Sequence, residues 1–233
     1  ATLKYINQVP HTDHAVWLPI AMLAYLRCSN DTEFFNQQLP FANDPKPVSI
    51  FDHCERALAQ LLTARDDRHL SLIGEGDWCD PMNMVGYQGK GVSAWLTFAT
   101  IYALQNWLQI CDRLGRTDQQ AYWQQAIDEM RVATNTHFWH DRWFGRGITD
   151  AGRLFGIDGD VEGAIFLNPQ TWAMLSHSVS AEQQTNMLES VTRHLETAYG
   201  VELVAPAFTH MHEDIGRVTQ KFPGTAENGS VYN

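Results

Sequence analysis

Between an apolar run, Leu70 to Ile73, and a long apolar stretch from Val92 lies Gly74-Glu75-Gly76-Asp77-Trp78-Cys79-Asp80-Pro81-Met82-Asn83. Two carboxylates flank an indole inside a loop punctuated by Gly and Pro. Sugar chemistry uses that combination: an aromatic face against a pyranose ring, a carboxylic acid beside it, and backbone free to approach a ligand. Asp80 is the candidate acid and Trp78 a candidate stacking wall. Asp77 either supports the loop or binds a sugar hydroxyl. Spacing alone leaves a plainer alternative open, in which an Asp of the D-W-x-D simply caps the next helix.

Composition narrows the partners. The 233 residues are 44% hydrophobic, enough for one sizeable core, and 16 basic residues against 27 acidic give a net charge of −11. An acidic surface disfavours nucleic acid and anionic membranes. No apolar run approaches bilayer length, and the first residues do not resemble a signal peptide. Cys28, Cys54, Cys79 and Cys111 are far apart without a C-x-x-C, the usage expected of reduced, mostly buried thiols in a cytoplasmic protein. The pairs His11/His14 and His210/His212 lack a third ligand at a recognisable spacing, so no metal is expected. Ala1 is not an initiator Met and Asn233 interrupts a motif, which reads as a piece cut from a longer protein.

The elements that must position the loop are helical. Pro19 suits a first turn, with Ile20, Leu23 and Leu26 to Cys28 along one face. Ser49-Ile50-Phe51-Asp52 reads as a capping box opening a helix with Cys54, Leu58, Leu61 and Leu62 on its face. From Val92 to Leu114 the chain is apolar nearly all round, which demands burial between neighbours, and Gly115 is placed to end it. Thr117-Asp118-Gln119-Gln120 starts a further helix with Tyr122, Ala126, Met130 and Ala133 on one stripe. Ser180-Ala181-Glu182-Gln183 starts another, stopping at Gly200, and a shorter one follows Pro169. About six helices, joined by short turns and by long loops at 66–91, 138–168 and 200–233, predict an all-α fold: half of an α/α toroid, without an internal domain boundary.

Four stretches also carry a family resemblance. Leu72 to Leu96, LIGEGDWCDPMNMVGYQGKGVSAWL, closely resembles the active-site segment of the inverting disaccharide phosphorylases of glycoside hydrolase family 94. His14-Ala15-Val16-Trp17-Leu18-Pro19, Phe166-Leu167-Asn168-Pro169-Gln170-Thr171-Trp172 and Pro223-Gly224-Thr225-Ala226-Glu227-Asn228-Gly229 match in the same order. The resemblance implies that residues 1–233 are the C-terminal portion of an (α/α)6 catalytic domain. The N-terminal β-sandwich, the first barrel helices and the C-terminal tail would then be absent. It also implies a homodimer for the full-length protein and no activity for this portion alone.

The chemistry it implies is phosphorolysis. An inverting hydrolase needs a second carboxylate to activate water. Phosphate is already an anion, so a phosphorylase needs one acid plus groups that hold phosphate, which is a co-substrate and not a cofactor. Asp80 matches the family's acid and must arrive protonated, helped by desolvation from Trp78 and a bound sugar. Glu227 matches a glutamate that contacts substrate hydroxyls, and a phosphate-binding His is expected just beyond Asn233. Arg142, Arg146 and Asp150 are weaker candidates, equally explained by salt links.

Specificity is read from Gly216-Arg217-Val218-Thr219-Gln220-Lys221, on the approach to Glu227. Arg217 and Lys221, four apart, could converge on one anion, as an aldonate carboxylate would require. Cys79 in the D-W-x-D also resembles the branch of the family that acts on cellobionic acid. The substrate expected is 4-O-β-glucosyl-gluconate, giving α-glucose 1-phosphate and gluconate. Three alternatives stay open: a neutral disaccharide such as cellobiose or chitobiose, an inverting hydrolase with Glu227 as base, and a carbohydrate-binding portion without turnover. Both cations could also simply face water.

Overall fold

The structure, a computed structural model, describes residues 11–232. Six α-helices run through these residues: α1 (Trp17–Ser29), α2 (Ile50–Thr63), α3 (Ala94–Leu114), α4 (Gln120–His137), α5 (Leu167–Leu175) and α6 (Ala181–His194). Local chemistry sets their ends. Ser49 and Asp52 form the reciprocal box ahead of α2, and Ser180 and Gln183 do the same ahead of α6. Such a cap is worth about 1 kcal/mol. Gly115 closes α3 with φ +67°, where a side chain would be strained.

The core is organised by α3, which packs on α1, α4 and α5. Trp95, Phe98, Ile101, Leu104, Trp107 and Ile110 of this helix are buried. Each large apolar side chain so placed contributes roughly 1.5–3 kcal/mol. On α4 the buried stripe is Trp123, Ala126, Ile127, Met130 and Ala133. Tyr122, expected on that stripe, is exposed, and its neighbour Trp123 takes the inward position.

The all-α expectation is not met, and the half-toroid reading goes with it. The described residues are 45% helical and 16% strand, and they form five small antiparallel sheets. The longest strands, β1 (Gln38–Phe41) and β2 (Asp44–Ser49), make a hairpin. The others are β3 (Val92–Ser93), β4 (Trp139–His140), β5 (Trp143–Phe144), β6 (Gly147–Ile148), β7 (Leu154–Phe155), β8 (Ile165–Phe166), β9 (Glu196–Thr197), β10 (Gly200–Glu202), β11 (Val204–Ala205) and β12 (Val231–Tyr232). Strands of two or three residues show no period-2 alternation, so a hydrophobic pattern cannot announce them. α6 likewise stops at His194, short of Gly200, because residues 196–202 pair as β9 and β10.

These strands stitch the long loops together. β3 pairs with β6 and β6 with β7, while β11 pairs with β8. A second, smaller apolar cluster forms beneath them from Ile73, Cys79, Met82, Val85, Phe155, Phe166, Val204, Phe208, Ile215 and Val218, with Trp78 against it. The D-W-x-D loop therefore sits on a core of its own. Among the described residues no helix is long and apolar enough to cross a membrane.

Candidate active site

Asp77 lies under the loop, fully buried, with both oxygens engaged. Oδ1 accepts Arg146 Nη2 at 2.6 Å and the Cys79 N–H at 3.0 Å, and Oδ2 accepts the Ser93 hydroxyl at 2.5 Å. Ser93 Oγ also accepts Arg146 Nη1 and the Leu96 N–H that opens α3. One buried carboxylate thus ties the loop to a helix N-terminus and to Arg146, just ahead of β6. Of the two roles open to Asp77, this geometry is that of support. Arg146 is a salt link, as one of its alternatives had it.

Above Asp77 the loop presents its two flanking residues in different surroundings. Trp78 is half-buried and lines a cleft of about 250 Å³ with Trp17, Trp95, Trp172, Leu167 and Asn168. The walls are mostly indole, brought together by α1, α3 and α5. Gln170 holds the start of α5, its amide bridging Phe144 N–H, Phe144 O and Phe166 O. The Asp80 side chain is 65% exposed. Its neighbour is His11, whose Nδ1 stands 3.5 Å from Oδ1 in a nearly buried ring. Sequence reading noticed His11 only as half of a weak metal pair.

Lys221 and Glu227 meet in an ion pair. Nζ donates to Oε2 at 2.7 Å, with 35% and 26% of the side chains exposed. Asn228 fixes the backbone on which they sit, donating to the Lys221 and Phe208 carbonyls and accepting the Phe208 N–H. The pair is within electrostatic reach of the loop. Burial pushes the Cys79 thiol well above its usual range, and the charges felt there are those of Arg146, Asp77, Glu227 and Lys221. Arg217 is exposed at the start of a 3-10 turn, Arg217–Gln220. The structure brings Lys221 to Glu227; it does not join Lys221 and Arg217 in one anion clamp.

That turn is fastened to the D-W-x-D loop by hydrogen bonds from both backbones. Val218 N–H donates to Pro81 O at 2.9 Å, Met84 N–H to Ile215 O at 3.2 Å, and Arg217 N–H to Asn83 Oδ1 at 3.1 Å.

A further cluster escaped the sequence reading. Glu162 accepts from Nδ1 of His210 at 2.9 Å, Nε2 of His212 at 3.1 Å and the Thr209 N–H at 3.0 Å. Burial alone would raise its carboxyl, but the hydrogen bonds from Thr209, His210 and His212 prevail and hold it well below the usual range. His210 and His212 had no visible third partner because Glu162 is about fifty residues away in sequence. Arg142 pairs with Glu189 at the surface, and Asp150 accepts the N–H groups of Gln88, Lys90 and Gly91. The four cysteines are free thiols, with Cys54, Cys79 and Cys111 buried and Cys28 exposed.

The sequence is 51% identical to cellobionic acid phosphorylase of Neurospora crassa across the whole chain, which spans 29% of that protein. It is 36% identical, over 98% of the chain and 30% of the relative, to 3-O-beta-D-glucopyranosyl-beta-D-glucuronide phosphorylase of Paenibacillus borealis. In backbone, a family 78 rhamnosidase of Bacillus sp. GL1 superposes with a TM-score of 0.60 at 15% identity, over 76% of this chain and 17% of that one, a likeness of fold alone. The chain thus spans under a third of the curated relatives it matches. The family model described as the catalytic domain of the glycosyl hydrolase 94 superfamily matches residues 3–233, and the chain belongs to that family.

Proposed function

We propose that these residues form part of the catalytic domain of an inverting phosphorylase that cleaves a β-1,4-glucosyl aldonate, cellobionic acid. The observation that carries this reading is the exposed Asp80 carboxylate, two residues from Trp78 of the indole-lined cleft and next to Cys79, where the charges of the half-open Lys221–Glu227 pair are felt. Glucose would lie against Trp78, and the leaving aldonate toward Lys221, Glu227 and Arg217. Asp80 gives its proton to the glycosidic oxygen as the C1–O bond breaks, and the aldonate leaves as an alcohol. A phosphate oxygen forms the new bond to C1 from the opposite face, which inverts the anomer and yields α-glucose 1-phosphate. In the reverse direction the Asp80 carboxylate takes the proton back.

Two features support an anionic leaving sugar. Two of the relatives are named for acidic sugars, one a glucosyl aldonate and the other a glucuronide. Lys221 is an ammonium whose present partner is accessible to solvent, so a substrate carboxylate can compete for it. One observation favours a neutral disaccharide instead: Lys221 is already neutralised by Glu227, which would suit a hydroxyl-rich leaving group. A hydrolase is less well supported, because Glu227 is ion-paired through Oε2 to Lys221, which weakens the carboxylate as a base.

The deciding experiment incubates the full-length protein with cellobionate, with and without inorganic phosphate, and assays products. Phosphate-dependent α-glucose 1-phosphate is expected. Free glucose without phosphate would overturn the reaction class, and turnover of cellobiose in preference to cellobionate would overturn the substrate.

A further inference from the structure

The loop bearing Asp80 and the turn bearing Arg217 are far apart in sequence, yet three hydrogen bonds fasten them. Two are backbone to backbone, and any sequence could make them. The third is not. Asn83 Oδ1 accepts the Arg217 N–H, and it does so where Gly216 passes closest to the loop, with φ +113°. A Cβ at Gly216 would stand 2.5 Å from Asn83 Oδ1 and 3.0 Å from the backbone nitrogens of Asn83 and Met84. Glycine and asparagine are thus fitted to each other at this crossing. Asn83 follows Asp80 by three residues, while Arg217 precedes Lys221 by four.

We propose that Asn83 is a positioning residue that locks the acid loop to the leaving-sugar turn, so that Asp80 is in register only while that turn is in place. The inference rests on the proposed phosphorylase reading and deepens it. Asn83 need not touch substrate. Its amide oxygen gathers the first N–H of a 3-10 turn, as an N-cap oxygen would, and transmits the turn's position to the loop carrying the acid. Recognition of the leaving sugar and delivery of the proton then become one event. A misplacement of about 1 Å in such a group can cost on the order of 10²-fold in rate.

The test uses the full-length enzyme and two substrates that differ in their leaving groups. Cellobionate needs both the acid and the leaving-sugar turn. β-Glucosyl fluoride needs neither, since fluoride departs with the bonding pair unprotonated as a phosphate oxygen bonds to C1. Asn83→Ala is expected to lower kcat on cellobionate by about 30- to 100-fold, with fluoride phosphorolysis within about twofold of the parent enzyme. Asn83→Asp, which keeps an acceptor oxygen, should retain most cellobionate activity. Gly216→Ala, which pushes Asn83 away, should reproduce the Asn83→Ala pattern and guards against a misfolded single variant. Equal losses on both substrates, or no loss on either, would overturn the coupling. The parent enzyme reports separately on the reaction class. If it forms free glucose without phosphate, the phosphorylase reading falls, and the same substrate ratio read on glucose still decides the role of Asn83.

Discussion

Two ion pairs flank the D-W-x-D loop, and their lengths barely differ: 2.6 Å for Arg146–Asp77 and 2.7 Å for Lys221–Glu227. Exposure separates them. The first pair is 1% and 0% exposed, the second 35% and 26%. Removing one member of a buried pair strands a charge in a poor solvent, whereas an open pair can trade its partner for water or a ligand. The buried pair therefore has the character of an anchor and the open pair that of a contact awaiting a competitor.

The largest expected effect falls on Asp80 and should leave both pairs alone. Asp80→Asn is expected to lower turnover of cellobionate about 10²–10⁴-fold, the usual contribution of a general acid. The urea unfolding midpoint should stay that of the parent. A variant retaining full activity would dismiss Asp80 as the acid.

Arg146→Ala comes next, because it breaks the anchor. Unfolding in urea should show a loss of about 3–5 kcal/mol, the range for an uncompensated buried charge. A loss under about 1 kcal/mol would place the pair in the same class as the open one and erase the contrast.

Lys221→Ala should separate the two pairs most clearly. Stability is expected to change by less than about 1 kcal/mol, as for exposed ion pairs. KM for cellobionate should rise about 10- to 100-fold, the worth of a hydrogen bond to a charged group. Equal losses on cellobionate and cellobiose would remove the carboxylate from its assigned partner.

The smallest effect concerns Glu162, a carboxylate intermediate between these extremes. Its folded-state titration lies below the ordinary value near 4.5, so it adds stability above that pH and loses it as the pH falls toward the folded value. Glu162→Gln should lower stability at pH 7, where the charged carboxylate contributes fully, and flatten the parent's loss of stability below about pH 4.5, so that the two converge in acid. An unchanged acid profile would mean that the His210 and His212 contacts do not hold the carboxylate in solution.

Features governed by near neighbours were legible in the sequence. The caps at Ser49 and Ser180, the stop at Gly115 and the burial of α3 follow from residues within a turn or two. The D-W-x-D was readable as a candidate site for the same reason. What stayed hidden depends on distant chain segments. Arg146 reaches Asp77 across 69 residues, Arg217 reaches Asn83 across 134, and Glu162 meets its histidines across about fifty. The strands other than β1 and β2 were invisible for a different reason: at two or three residues they have no period. Tyr122 and Trp123 show a third limit, since adjacent aromatics offer a helix two stripes and only packing chooses.

The indole cleft has an optical consequence. Trp17, Trp95 and Trp172 stand in one another's company, with ring centroids 6.1, 5.7 and 5.5 Å apart. Transition dipoles that close and that rigidly held couple, and the coupling gives near-ultraviolet circular dichroism that vanishes when fixed packing is lost. Because the three rings sit on α1, α3 and α5, the band reads the assembly of those helices at once. The protein carries its own chromophore for the integrity of the wall behind Trp78, legible without label, substrate or phosphate.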